Sequence, residues 1–201
     1  MFRRPQRSAA PLAVIPGGGS VQNRLASTVP RYQREHLLAV AAQALEYGLA
    51  AGQLSEASLR VAGNKILILR REAWYGSAAD ADLLLAAMQP NKTLDTPELP
   101  PHIEFHRTVY SAVHSARVVL LVQPRSLMVL ANRAAHGESL AAGGGEAIFW
   151  DRMEPAQLTD GAAAGGVNVV KGIGALAWGA DGYEALAKLH GAERWAQIMS
   201  G

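Results

Sequence analysis

The sequence predicts an α/β fold: a mixed central β-sheet between helical layers, in a three-layer α/β/α arrangement. Three observations carry this. Apolar residues recur at helical spacing from Arg34 to Ala51 and again near the C-terminal end. Val118–Val122 is an unbroken apolar run of the buried-strand type. Short β-like runs alternate with helical stretches, but without a strict βαβ repeat. With 201 residues, 49% apolar and 18% charged, the chain suits one domain plus a short arm and can bury a real core.

In chain order, Leu37, Leu38, Val40, Ala41, Ala44, Leu45 and Leu49 form the apolar stripe of the first long helix, which Gly48 and Gly52 close. Two β-like runs follow, Ser58–Ala62 and Lys65–Arg70, joined by Gly63-Asn64 as a two-residue hairpin turn. Residues 80–88 read as a short helix and Gln89–Pro101 as a loop. Helical spacing returns over His102–His114 through Ile103, Phe105, Val109 and Val113. After the Val118–Val122 strand come a helix at Ser126–Ala135, a flexible Gly143-Gly144-Gly145 link and a strand at Ala147–Trp150. Strands Val167–Lys171 and Gly174–Trp178 flank Gly172, and a final helix covers Asp181–Met199. No internal repeat is present.

Charge divides the chain into an Arg/Pro/Gly-rich arm, residues 1–33, and a body, residues 34–201. The first 34 residues hold six Arg and no acid; with a net charge of +2, this leaves the other 167 at −4. Such composition suits an organelle transit peptide, but Pro5, Pro11, Pro16 and Gly17-Gly18-Gly19 break any amphipathic helix. The apolar stretch Pro11–Pro16 is too short for a secretory signal. Only Phe2 and Tyr32 stand among the arginines, too few aromatics for a stacking platform, so nucleic acid is not an expected partner. The arm is expected to lie on the body or on a neighbouring subunit. Without Cys there is no disulfide, thiolate metal site or thiol nucleophile. No apolar run reaches the 18 or so residues that span a bilayer, so no membrane partner is expected and the localisation expected is cytoplasmic.

Motif scans exclude more. Neither Gly17–Gly19 nor Gly143–Gly145 leads into the Lys-Ser/Thr of a phosphate-gripping loop. Gly172-Ile173-Gly174 lacks the third Gly of a dinucleotide site and leads into a strand. There is no Gly-x-Ser-x-Gly nucleophile elbow.

Three stretches together resemble the class II aldolase/adducin family. The first is the helix ending Tyr47-Gly48-Leu49-Ala50-Ala51-Gly52, followed by Ala57-Ser58-Leu59-Arg60. The second is Pro100-Pro101-His102-Ile103-Glu104-Phe105-His106 with Tyr110, then Val118–Val122 with Gln123-Pro124, which is similar to the family's Ser-Ser-Glu-x-x-x-His-x-x-x-Tyr and its strand ending His-x-His. The third is Gly172-Ile173-Gly174 with Trp178-Gly179, similar to Asn-His-Gly and Trp-Gly. The resemblance spans roughly residues 34–199 and implies the family's α/β/α fold and a homo-oligomer, often a tetramer.

It also implies departures. Family zinc enzymes hold the metal with three His, where it stabilises an enediolate as a Lewis acid, and use a Glu as acid/base. The three His positions fall on Leu121, Gln123 and Ile173, and the Glu on His102. Leu and Ile ligate nothing and a Gln oxygen is a poor zinc ligand, so no metal or other cofactor is expected. The anion loop corresponds to Gly52-Gln53-Leu54-Ser55-Glu56, where an apolar side chain and an acid enter. A second loop corresponds to Leu69-Arg70-Arg71-Glu72.

Candidate site residues follow. His102 and His106, at i and i+4, share one helical face with three readings: a polar helix edge, an acid/base site on His102, or a relocated metal site. Arg70 and Arg71 are solvated strand-end charges or anion binders. Gln123 is a hydrogen-bonding core residue or a catalytic group. Lys171 is a rim charge or a substrate contact, and no evident partner lowers its pKa for Schiff-base work. Tyr110 reads as core packing. The expected function is a family member that has lost zinc-dependent aldol cleavage, binding a small anionic metabolite, with or without metal-independent chemistry of the lyase or isomerase type. The alternatives are a non-catalytic, adducin-like interaction protein and, last, an aldolase or epimerase with a rebuilt metal site.

Overall fold

A computed structural model of the chain describes residues 21–50, 55–91, 93–142, 145–152 and 166–200. Five helices are described: α1 (Val21–Ala26), α2 (Arg31–Glu46), α3 (Ile103–Ala112), α4 (Arg125–Ala131) and α5 (Gly182–Ser200). The strands are β1 (Glu56–Val61), β2 (Lys65–Leu69), β3 (Leu83–Ala87), β4 (Val118–Val122), β5 (Ser139–Ala142), β6 (Gly145–Trp150), β7 (Val167–Val170) and β8 (Gly174–Gly179). They form one eight-stranded sheet in the order β3-β2-β1-β4-β8-β7-β6-β5. Every neighbouring pair is antiparallel except β6 and β7. The mixed sheet and the α/β class expected from the sequence are both present.

Alternation of side chains along the strands builds two cores. Ala57, Leu59, Leu67, Leu69, Leu120, Val122 and Phe149 point to the face covered by α2, α4 and α5. Ile66, Ile68, Leu84, Val119, Leu121, Leu176 and Trp178 point to the opposite face, where α3 lies through Ile103, Val109 and Tyr110. All five residues of β4 are buried because the strand is covered on both sides, which explains its continuous apolar sequence.

Three details differ from the expectation. The short helix expected over 80–88 is a single 3-10 turn, Asp80–Asp82, followed by strand β3. Leu83-Leu84-Leu85-Ala86-Ala87 is too short a run for a stable helix, and alternate residues enter opposite cores in register with β2. β3 is an edge strand, and the side-chain oxygen of Gln22 on α1 accepts the Leu85 N–H at 3.4 Å. Strand β5 pairs with β6 where the sequence pattern predicts no strand. The β1–β2 connection has three residues, Ala62-Gly63-Asn64, since Val61 pairs with Lys65; Gly63 and Asn64 both adopt positive φ, 74° and 53°.

Two helices receive their N-terminal caps from distant carboxylates. Pro124, at the α4 N-cap, has no side-chain acceptor, and buried Glu193 of α5 accepts the N–H groups of Ser126 and Leu127 at 3.0 and 2.9 Å. The other case is α3, at the candidate site. Residues 1–20, Gly52-Gln53-Leu54 and Gly143-Gly144 lie outside the described residues; the described part of the arm enters α1, with Ala26 and Val29 buried. Among the described residues no helix is long and apolar enough to cross a membrane.

Candidate functional site

β1 alternates between two chemistries. Ala57, Leu59 and Val61 enter one core, while Glu56, Ser58 and Arg60 alternate with them and meet α3. On α3 the matching residues are His102, His106 and Tyr110, at i, i+4 and i+8. Four helical residues rise about 6 Å and two strand residues about 6.8 Å, so the polar groups fall nearly in step.

The contacts follow that step. Glu56 Oε1 accepts the backbone N–H of His102 at 3.1 Å and lies 2.8 Å from its Nδ1. Glu56 Oε2 lies 3.3 Å from His106 Nε2, an ion-pair distance that is not aligned as a hydrogen bond. His106 Nδ1 is 2.7 Å from Ser58 Oγ, which is 2.9 Å from the Tyr110 hydroxyl. Tyr110 donates to the Arg117 carbonyl at 3.3 Å. Arg60 stacks over the Tyr110 ring at 5.1 Å and donates to the carbonyls of Tyr110, Val113 and His114, capping the C-terminal end of α3.

Glu56, Ser58, His106 and Tyr110 are buried, whereas the His102 side chain is 26% exposed. Burial alone raises the Glu56 pKa, but the His102 hydrogen bond and the nearness of both His102 and His106 outweigh it and hold the carboxyl below its ordinary range. Burial pushes the Tyr110 phenol well up against the opposing Ser58 bond and Arg60 charge. Tyr75, buried on the loop after β2, is raised by burial and then by the charge of Glu56.

The other residues singled out lie at the same end of the sheet but on different strands. Glu56 opposes Leu121 across β1 and β4, and Gln123, one residue past β4, donates its amide N–H to the Ile173 carbonyl at 2.8 Å. Arg70, just past β2, pairs with Asp82 at 2.7 Å. Arg71 is exposed, and its backbone N–H bonds the Glu98 carbonyl, four residues before His102. Lys171, just past β7, binds Asp151 at 2.6 Å and the Ala134 carbonyl at 2.8 Å. β2 and β7 are four strand spacings apart, roughly 19 Å, so Arg70 and Lys171 do not face a common small ligand. His102 and His106 therefore come together through Glu56, whereas the cations are dispersed.

Zinc does not fit the positions where the family resemblance places its ligands. Leu121 is enclosed among Val119 and Leu176, Ile173 packs against the same apolar cluster, and Gln123, a poor zinc ligand, has committed its amide N–H to the Ile173 carbonyl in the β7–β8 turn. Among the described residues no three His, Asp or Glu side chains gather as a metal-holding group.

Glu56, Ser58 and Arg60 are the residues that sequence reasoning missed. The signal was their period of two against the apolar residues of β1, but starting the strand at Ser58 left Glu56 in a loop.

The model for the Class II Aldolase and Adducin N-terminal domain matches residues 35–200. Among solved structures, an L-fuculose-1-phosphate aldolase from Thermus thermophilus is 19% identical with a TM-score of 0.67, covering 85% of this chain and 94% of that one. YgbL from Escherichia coli is 16% identical with a TM-score of 0.69, covering 83% and 87%. A sugar-phosphate aldolase from Thermotoga maritima is 16% identical with a TM-score of 0.60, covering 85% and 94%. No curated protein matches the chain by sequence. With a family model matched over most of its length and the same fold in these structures, the chain belongs to the class II aldolase and adducin N-terminal domain family.

Proposed function

We propose that the chain binds a small metabolite at this end of the sheet and acts on it by acid/base chemistry of the lyase or isomerase kind, without zinc and with His102 as the proton carrier. The observation that carries this reading is the Glu56–His102 pair. A buried carboxylate at 2.8 Å from Nδ1 fixes the ring and its tautomer, and Nε2 makes no hydrogen bond to a described residue. An imidazole so held presents its other nitrogen to a ligand for proton transfer. The chemistry of Leu121, Gln123 and Ile173 supports the zinc-free part of the reading. An anionic group on the ligand is assigned to Arg71, which makes no ion pair with a described residue and lies in the turn after β2, bonded to the loop that leads into α3.

A second reading, an interaction protein without catalysis, draws on exposed Tyr32, Tyr183, Ile198 and Met199 on α2 and α5. A rebuilt metal site has least behind it, since the ring atoms His102 Nδ1 and His106 Nε2 both face Glu56. In either of the first two readings the chain is taken as a cytoplasmic homo-oligomer, which light scattering and fractionation test.

A thermal-shift screen of metabolites and divalent metals identifies the ligand, because binding to the native state alone raises the melting temperature. With the substrate in hand, His102→Ala is expected to lower turnover by about 100-fold or more, and Gln123→Ala by less, since an amide carries no transferable proton. Wild-type turnover in His102→Ala moves the weight to the interaction reading.

A further inference from the structure

Glu56 carries two imidazoles rather than one. His102 occupies Oε1 at 2.8 Å, and His106, closed to solvent, stands 3.3 Å from Oε2. The far nitrogen of His106 is held by Ser58, Ser58 by Tyr110, and Tyr110 by the Arg117 carbonyl. Both hydroxyls can donate or accept, so the Ser58 side can meet His106 Nδ1 with or without a proton there. The Arg117 carbonyl can only accept: with a proton on Nδ1 the donors run from His106 through Ser58 and Tyr110 to that carbonyl, and without one Ser58 and Tyr110 turn their protons back toward the ring.

We infer that His106 is a positioning residue for His102 and acts on it through Glu56. One buried carboxylate stabilises one added positive charge well and two poorly, so a proton taken by either imidazole weakens the hold of the other on a second. The basicity of His102 is thereby set from inside the fold, by a ring that no ligand touches. The titratable and charged groups around His106 are Glu56 from β1 and His102 and Tyr110 from α3. Beyond them lie Arg60 over the Tyr110 ring and the buried phenol of Tyr75, close enough to feel Glu56. Arg107, also on α3, is engaged with Glu104 and Asp95.

The inference takes its use from the reading of His102 as proton carrier, but its test needs no substrate. The full chain, labelled with 15N-histidine, is titrated by NMR as wild type, His106→Gln and Ser58→Ala. In the wild type the His102 and His106 nitrogen signals are expected to share two inflections. In His106→Gln, His102 is expected to show one, reached at a proton concentration lower by roughly threefold or more. Ser58→Ala keeps both rings and Glu56 but removes the partner of Nδ1; it is expected to shift the His106 Nδ1 signal and move the His102 inflection with it. If His106→Gln does not fold, Ser58→Ala decides alone. A His102 titration identical in the wild type and in every variant that folds overturns the inference. Coupled titration with wild-type turnover in His102→Ala removes the proposed function and leaves the coupling standing; lost turnover with uncoupled titration does the reverse.

Discussion

Oε1 of Glu56 holds both the backbone N–H and the Nδ1 of His102, at 3.1 and 2.8 Å, across a sequence separation of 46. One carboxylate oxygen thus caps the start of α3, where no local side chain does, and orients the ring beside it. Fold and candidate chemistry share an atom at this point.

The pH dependence of stability follows from that atom. The Glu56 pKa is lower folded than unfolded, so its contribution is fully present above the ordinary carboxylate value of 4.5 and is lost as pH falls through the folded value. Below 4.5 the unfolded chain takes up a proton that the folded chain resists. Glu56→Gln is expected to cost about 3 kcal/mol at neutral pH, as for a broken buried pair, and to flatten the loss in acid. Urea unfolding of both proteins from about pH 7 to about pH 3 measures this; equal acid slopes refute it.

A second carboxylate has the capping role alone. Glu193→Ala removes the acceptor of two N–H groups at the head of α4 and leaves them without that partner. A loss of about 2 kcal/mol is expected in chemical denaturation, with the α3 site unaffected. A change below about 0.5 kcal/mol, the range of ordinary surface substitutions, shows the cap to be dispensable.

Close approach of α2 and α5 makes a third test. A Cβ on Gly182 lies 2.1 Å from Cγ2 of buried Val40, so alanine there must push the two helices apart. Gly182→Ala is expected to destabilise by roughly 2 kcal/mol despite its better helix propensity. Combined with Val40→Ala, part of that loss should return, and a double-mutant cycle reads the coupling directly. Strict additivity excludes the clash as its cause.

Zinc content tests the donor set at Leu121, Gln123 and Ile173. Protein purified without chelators is expected to carry far less than one zinc per chain by elemental analysis, and added zinc should not raise its melting temperature. About one tightly held zinc per chain contradicts the zinc-free reading.

Local physics made much of this legible in the sequence. The 3.6-residue stripe of α2, the doubly covered run of β4, the placing of His102 and His106 on one face of α3, and the order of the family motifs all depend on residues a few positions apart. The sequence also placed Leu, Gln and Ile where the family resemblance calls for zinc ligands. What tertiary structure decided is of another kind. Leu83–Ala87 is a strand because β2 offers it an edge, and no feature of five apolar residues states that. Glu56 becomes a ring-holding carboxylate because β1 and α3 advance nearly in step, and Glu193 caps α4 from 66 and 67 residues away. Periodicity records which side of an element is buried; it does not record which polar group waits on the other side of the interface, because that partner is fixed only when the two surfaces meet.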